Sequence, residues 1–343
     1  NSSAGISARV AAARALGITK TRDATKPLIK AAGAEAYQIR NAAIKALSVV
    51  ADEEATETIT NALTDSSGVV RETGMDVLSA WRMGDVDKQL VTLSRADDAN
   101  TARRAAIVLT QRHSAAGGSL LASLTCSTFD KIHGASAQSI RKLLEAAATD
   151  DAEVATVRAS AIAALGYVGE ESSLDALGPL LTQADGTYAV PAAKAVGHIG
   201  QRMAEAAEEG QQDEISRPTR LLLDLFRDAK KDNVRMVAGT GLALMGKQPV
   251  VPLIEMMSKG DPALRPTIAA VLGAIGKPAT DTVLDERGKA EDKELRAWLG
   301  ATLKLIGDAR ALDLLDQLPK EEQPEPAKIE AGRKILNELL TQL

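Results

Sequence analysis

Aromatic side chains are nearly absent: Trp81, Trp298, Tyr37, Tyr167, Tyr188, Phe129 and Phe226 make up 2% of 343 residues. A β-sandwich core of ordinary composition is therefore excluded, because sheets favour aromatic and β-branched residues. The core must be built from the Ala, Leu, Val and Ile that dominate an apolar fraction of 45%. A single cysteine, Cys126, rules out an intrachain disulfide. It says little about redox compartment, since a chain of this length does not depend on such a staple. No apolar run approaches the roughly 20 residues needed to cross a bilayer as a helix. Positive charge is also in deficit. The net charge is −5 and the basic clusters are pairs, Arg103-Arg104 and Lys230-Lys231. A nucleic-acid backbone as partner is disfavoured by such a surface.

The residues of catalysis are equally sparse. Three histidines occur, His113, His133 and His198, none in a His-Glu-x-x-His zinc pattern. No Cys-x-x-Cys pattern is possible with one cysteine. Cys126, Asp130 and His133 share a short stretch and imitate a metal site or a Cys–His pair, but two or three eligible residues in one loop are a weak signal. Gly197-His198-Ile199-Gly200 and Gly239-Thr240-Gly241 follow no strand, so they do not read as phosphate loops. No catalytic, cofactor-binding or metal-binding residue is assigned, and no cofactor is expected.

What the chain has in abundance is periodicity. An aliphatic position recurs at Leu16, Leu47, Leu78, Leu109, Leu165, Val196, Leu242, Leu272 and Leu303, in steps of 31, 31, 31, 56, 31, 46, 30 and 31. The two long steps read as insertions, at about 113–135 and 201–217. Seven residues earlier stands an arginine in seven of nine units: Arg9, Arg40, Arg71, Arg158, Arg235, Arg265 and Arg296. Ala102 and Ala189 are the exceptions. Four residues later stands a glycine in five units: Gly169, Gly200, Gly246, Gly276 and Gly307. Twelve residues later come Leu28, Ile59, Leu90, Leu177, Ile254, Leu284 and Leu315.

Each unit reads as helix, tight turn, helix. Val157, Ala161, Ile162 and Leu165 share one helical face, and Leu174, Leu177, Leu180 and Leu181 another. Gly166 and Gly169 are expected to close the first helix in a left-handed cap. Asp65, Asp232, Asp261 and Asp292 are placed to cap first helices. Pro27, Pro179, Pro252 and Pro278 fall where second helices should begin. Ser136 to Ala148 reads as a helix that competes with Leu120, Leu121 and Leu124 for the second-helix role of the fourth unit. Met203 to Gly210 reads as a helix extension, and Pro218 opens the next helix.

These columns resemble the HEAT repeat in its short form of about 30 residues, the type first noted in phycobilisome lyases. The pattern stands here as Val157-Arg158 through Ala164-Leu165-Gly166-Tyr167-Val168-Gly169, and again from Leu264-Arg265 to Ile275-Gly276. The resemblance implies an all-α, α–α superhelix (solenoid) of about nine hairpins over residues 1–318. A Pro/Glu-rich break at 319–326 and a C-terminal capping helix at 327–343 follow it. It also implies that the arginine column packs between repeats, bonded to an acidic residue or a helix end, in preference to forming an anion-binding stripe. The concave face would be lined by second helices.

Function is much less specified, because one repeat architecture serves many tasks. The expectation is a non-enzymatic scaffold or adaptor that binds protein partners on an extended curved surface. The alternatives are a lyase-like enzyme or subunit handling a bound prosthetic group, and a structural cell-envelope lipoprotein. The diiron chemistry of the HEAT-like deoxyhypusine hydroxylases is excluded, since no His-Glu pair occurs. The opening Asn1-Ser2-Ser3-Ala4-Gly5 resembles the segment after the lipid-modified cysteine of bacterial lipoproteins, so an N-terminal lipid anchor removed from this chain stays open. The compartment is envelope or cytoplasm, with a lean to the envelope.

Overall fold

Eight of the nine repeat aliphatics, from Leu47 to Leu303, are fully buried, while Leu16 in the first helix is half-buried. They sit on helices in a computed structural model that describes residues 3–114, 130, 136–183, 186–206, 215–318 and 323–343. Among the described residues there is no strand. The fold is all-α, of the α–α superhelix class predicted from the columns. Most of the first insertion and residues 207–214 of the second lie outside the described residues. So do Asn1, Ser2 and the break at 319–322.

The chain forms two compact units, Asn1–Ala164 and Leu165–Leu343. The first contains α1 (Ser3–Thr19), α2 (Thr25–Ala32), α3 (Tyr37–Val50), α4 (Thr56–Asn61), α5 (Gly68–Ala80) and α6 (Val86–Leu93). It continues with α7 (Ala99–Ser114), α8 (Ala137–Thr149) and most of α9 (Ala155–Val168). The second contains the end of α9, then α10 (Leu174–Leu177), α11 (Ala189–Ala206), α12 (Arg217–Asp228), α13 (Asp232–Ala243) and α14 (Val250–Lys259). It closes with α15 (Arg265–Ile275), α16 (Thr280–Lys289), α17 (Lys293–Ile306), α18 (Ala309–Asp316) and α19 (Pro326–Gln342).

Odd-numbered helices from α1 to α17 carry the repeat aliphatic, and even-numbered helices pack beneath them. The second-helix column is buried at Leu28, Ile59, Leu90, Leu177, Ile254 and Leu315. Leu284 is only half-buried, and Val283 takes the fully buried place beside it. α8 occupies the second-helix position of the fourth unit: it packs on α7, and Arg158 of the next first helix donates to Ala148 O at its end. Leu120, Leu121 and Leu124 lie outside the described residues.

Two of the four expected aspartate caps form, at Asp261 and Asp292, while Asp65 bonds the amide of Ser67, which stands ahead of α5. Asp65 accepts from Ser67 N at 2.7 Å, and Asp261 and Asp292 each accept at 2.9 Å from the amide two residues on. Asp232 is instead the first residue of α13 and pairs with Arg235. Pro179 also departs from expectation. It lies in a 3₁₀ turn, Gly178–Thr182, at the tail of the second helix, because its missing N–H cannot continue the α-helical ladder of α10.

The glycine column splits in two. Gly246, Gly276 and Gly307 have φ of 65°, 73° and 73°, and the same turn places Lys20 and Ala51 at φ 52°. Gly166 and Gly200 lie inside α9 and α11, so the expected closure at Gly166 is corrected. Gly166 has a packing role instead: a Cβ there would stand 3.1 Å from Ala195 Cα in the adjacent first helix. Gly169 does follow the end of α9 and donates to Leu165 O at 2.8 Å, without a positive φ.

Candidate interaction surfaces

Among the described residues the chemistry-bearing side chains do not converge. Cys126 and His133 lie outside the described residues, and Asp130 pairs with Arg141. Among the described residues no three His, Cys, Asp or Glu side chains are grouped to hold a metal ion. His198, on α11, stacks on Tyr167 with ring centroids 6.1 Å apart. Burial, then the charges of Arg202 and Lys194, push its pKa down to about 4, so it is a neutral packing residue at pH 7. No helix among the described residues is long and apolar enough to cross a membrane.

Six of the seven column arginines serve the stack, all but the exposed Arg9. Arg40 donates to Ala34 O and Glu35 O, at 3.0 and 2.6 Å. Arg71 donates to Asp65 O and Ser66 O, and Arg158 to Ala148 O. Arg235, Arg265 and Arg296 reach Phe226 O, Met257 O and Ala290 O in the same way. Each guanidinium thus satisfies carbonyls left free at the end of the preceding second helix or its turn. Several also bind an aspartate at a hairpin turn. Arg40–Asp65 and Arg158–Asp151 both close at 2.7 Å. In the fourth unit, where Ala102 occupies the arginine position, two neighbours divide the work. Arg103 binds Asp150 at 2.7 Å, and Arg104 donates to Leu63 O at 3.0 Å. These arginines are committed to packing and do not form an open anion stripe.

What faces solvent are grooves between consecutive helices of like type. In the first unit, hollows of about 510 and 280 Å³ adjoin between α1 and α3 and share Arg14, Gln38 and Asn41. Their floor includes Gly17, Ala42 and Ala46. Ile18 and Val49, 78% and 47% exposed, form an apolar rim. In the second unit a hollow of about 390 Å³ lies between second helices α12 and α14. Leu223 and Met256 line it, with Arg220, Arg227 and Lys259 set against Asp224 and Glu255.

The second unit covers much of its first-helix face with its own chain. α19 packs on α15 and α17, and less extensively on α13. Leu336 and Leu339 point at Gly273 and Gly239. Gln342 Oε1 accepts from Thr240 Oγ1 at 2.9 Å, and Lys194 Nζ donates to Leu343 O at 2.8 Å. Periodicity identified the apolar stripe of this helix, but its seat spans the first helices of several hairpins and is not confined to the last one. The small residues in the path, Gly239, Ala269 and Gly273, were the available sequence signal.

The family profile described as HEAT repeats matches residues 2–79 and 219–304, and that of the PBS lyase HEAT-like repeat matches residues 157–183. No curated protein sequence matches significantly. Among solved structures, YibA of Escherichia coli is 17% identical, with 83% of this chain and 92% of that one covered and a TM-score of 0.43. Human deoxyhypusine hydroxylase, solved with glycerol, is also 17% identical, with coverages of 86% and 98% and a TM-score of 0.29. Kap95p, from a structure concerned with its binding to RanGDP, is 13% identical, with coverages of 92% and 51% and a TM-score of 0.37.

Proposed function

The chain belongs to the HEAT-repeat family, and on that footing we propose that it is a non-enzymatic scaffold that binds protein partners in the grooves between its hairpins. The observation that carries this reading is the division of labour along each helix. The column residues are consumed by the core and by the arginine bonds between hairpins. The positions between columns build open grooves with apolar floors and charged rims, the composition of a protein-recognition surface. Such a surface is retargeted by changing rim side chains without disturbing the stack.

The PBS lyase-type match raises a lyase-like role as a second reading. The segment it covers is explained by packing: Val157, Ala161, Ile162, Leu165, Leu174 and Leu177 are all buried. Cross-linking in the source cells, followed by capture and mass spectrometry, separates the two. Specific proteins cross-linked to α12, α14, α1 or α3 are the expected result. Co-purification of a coloured prosthetic group without a protein partner overturns the scaffold reading.

A further inference from the structure

The chain contains its own example of what its first-helix face accepts. On the second unit that face takes an amphipathic helix, α19, through Leu336 and Leu339. On α1 and α3 of the first unit no such helix among the described residues covers the corresponding outer positions, Ile18 and Val49. Two residues after the repeat aliphatic, Leu305 is half-buried beside Gly332 of α19. The equivalents in α1 and α3 are Ile18 and Val49, which stand exposed. One residue after it, Gly273 faces Leu336, and the equivalent in α1 is Gly17, on the floor of the groove.

The two seats share a cationic register position. Two residues before the repeat aliphatic, α11 carries Lys194, whose ammonium holds the carbonyl of Leu343, the residue that follows α19. The same register position is Arg14 in α1 and Lys45 in α3, both solvent-exposed. Among the described residues no carboxylate lines either hollow. The Oδ1 of Asn41, also in the groove wall, is buried without a hydrogen-bond partner. The groove is thus a cationic, apolar-floored seat on a chain of net charge −5. A cation at this register favours the carbonyl end of a helix through its dipole, and an acidic last turn more so.

We propose that the groove between α1 and α3 receives an amphipathic helix of a protein partner, acidic on its flanks, with its C-terminal turn at Arg14 and Lys45. The proposal rests on the scaffold reading and gives that scaffold a specific site. A second copy fits less well: α19 carries three cations, Lys328, Arg333 and Lys334, against Glu330 and Glu338, the wrong balance for a basic groove.

The test uses the full chain and a labelled 17-residue peptide with the α19 sequence in which Arg333→Glu, Lys334→Glu and Gln342→Glu make it acidic, the last within its C-terminal turn. The seat on the second unit is already filled by α19. Fluorescence anisotropy is expected to show saturable binding, weakened about tenfold or more by Ile18→Glu or by Arg14→Glu with Lys45→Glu. All three positions are exposed, and circular dichroism checks that the variants stay folded. The unaltered α19 peptide should bind more weakly than the acidic one. Equal binding of both peptides, or acidic-peptide binding unchanged in the variants, overturns the proposal. Self-association in sedimentation velocity that Ile18→Glu abolishes assigns the groove to a second copy and also overturns it. The scaffold reading is judged separately, since captured partners cross-linked to α12 and α14 would leave it standing.

Discussion

Arg40 grips Asp65 with two parallel hydrogen bonds, Nε to Oδ2 and Nη2 to Oδ1, each 2.7 Å long. The pair joins the first helix of one hairpin to the turn before the next. Burial tends to raise the Asp65 carboxyl. The Arg40 side chain, the Ser67 amide and the charges of Arg40 and Arg71 outweigh that and hold it below the usual range. A depressed carboxylate contributes stability above its unfolded pKa, and that contribution is lost as pH falls through the folded one. Asp65→Asn should therefore destabilise the first unit by about 1–2 kcal/mol at pH 7, between the values for exposed and buried pairs. Its stability should also fall less than wild type below about pH 4, near the unfolded carboxylate value. Urea titrations of a Trp298→Phe background, which leaves Trp81 to report on this unit, measure both.

The turn after five of the first helices takes a positive φ whether or not glycine stands there: at Lys20, Ala51, Gly246, Gly276 and Gly307. Ala51, at φ 52° and ψ 53°, donates to Leu47 O at 3.0 Å, as Gly307 at φ 73° does to Leu303 O at 3.1 Å. A β-carbon in this region costs roughly 1–2 kcal/mol. Ala51→Gly and Lys20→Gly should each stabilise the first unit, by about 0.5–1 kcal/mol after the entropy of the freer unfolded glycine is subtracted. Gly276, at φ 73° and ψ −141°, is the opposite case, and Gly276→Ala should cost about 1–3 kcal/mol. Shifted urea midpoints of opposite sign are the readout.

His198 supplies a pH dependence in the second unit. Its folded pKa of about 4 lies below the ordinary value of 6.5, chiefly through burial. The unfolded chain takes up the proton first, so this contribution is whole above pH 6.5 and is lost as pH falls towards 4. The loss should be about 3 kcal/mol. His198→Gln should remove that part of the slope, read from Trp298 fluorescence in a Trp81→Phe background. An unchanged slope between pH 6.5 and 4 would show that the imidazole is protonated in the folded chain.

The contrast between Leu165 and Gly166 shows what one-dimensional pattern conveys. The burial of Leu165 follows from helical spacing alone, because only a residue on the inner stripe can recur at that phase. Gly166 follows Leu165 at a position where a cap and a helix contact look identical in sequence. Which applies depends on Ala195, one repeat away. The arginine column was readable for a similar reason to the leucines, since six units leave comparable carbonyls for it to bond. The grooves were not, because they are made of residues the repeat leaves free. Arg14 and Lys45 acquire meaning only when Lys194 is seen holding Leu343 O at the same register. The apolar stripe of α19 was evident, but a stripe does not name the surface it meets.

That surface gives a last expectation. Leu339 is fully buried and faces Gly239 on α13, which cannot fill the space a shortened side chain leaves. Leu339→Ala should destabilise the second unit by about 2–4 kcal/mol, within the range for buried leucines that leave a cavity. If α19 is an integral layer of this unit, hydrogen exchange should quicken in α13, α15 and α17 together. Protection in α3 and α5 of the first unit should stay unchanged. Faster exchange confined to α19 itself would mean that the helix is a detachable cover, and that the first-helix face beneath it keeps its fold when bare.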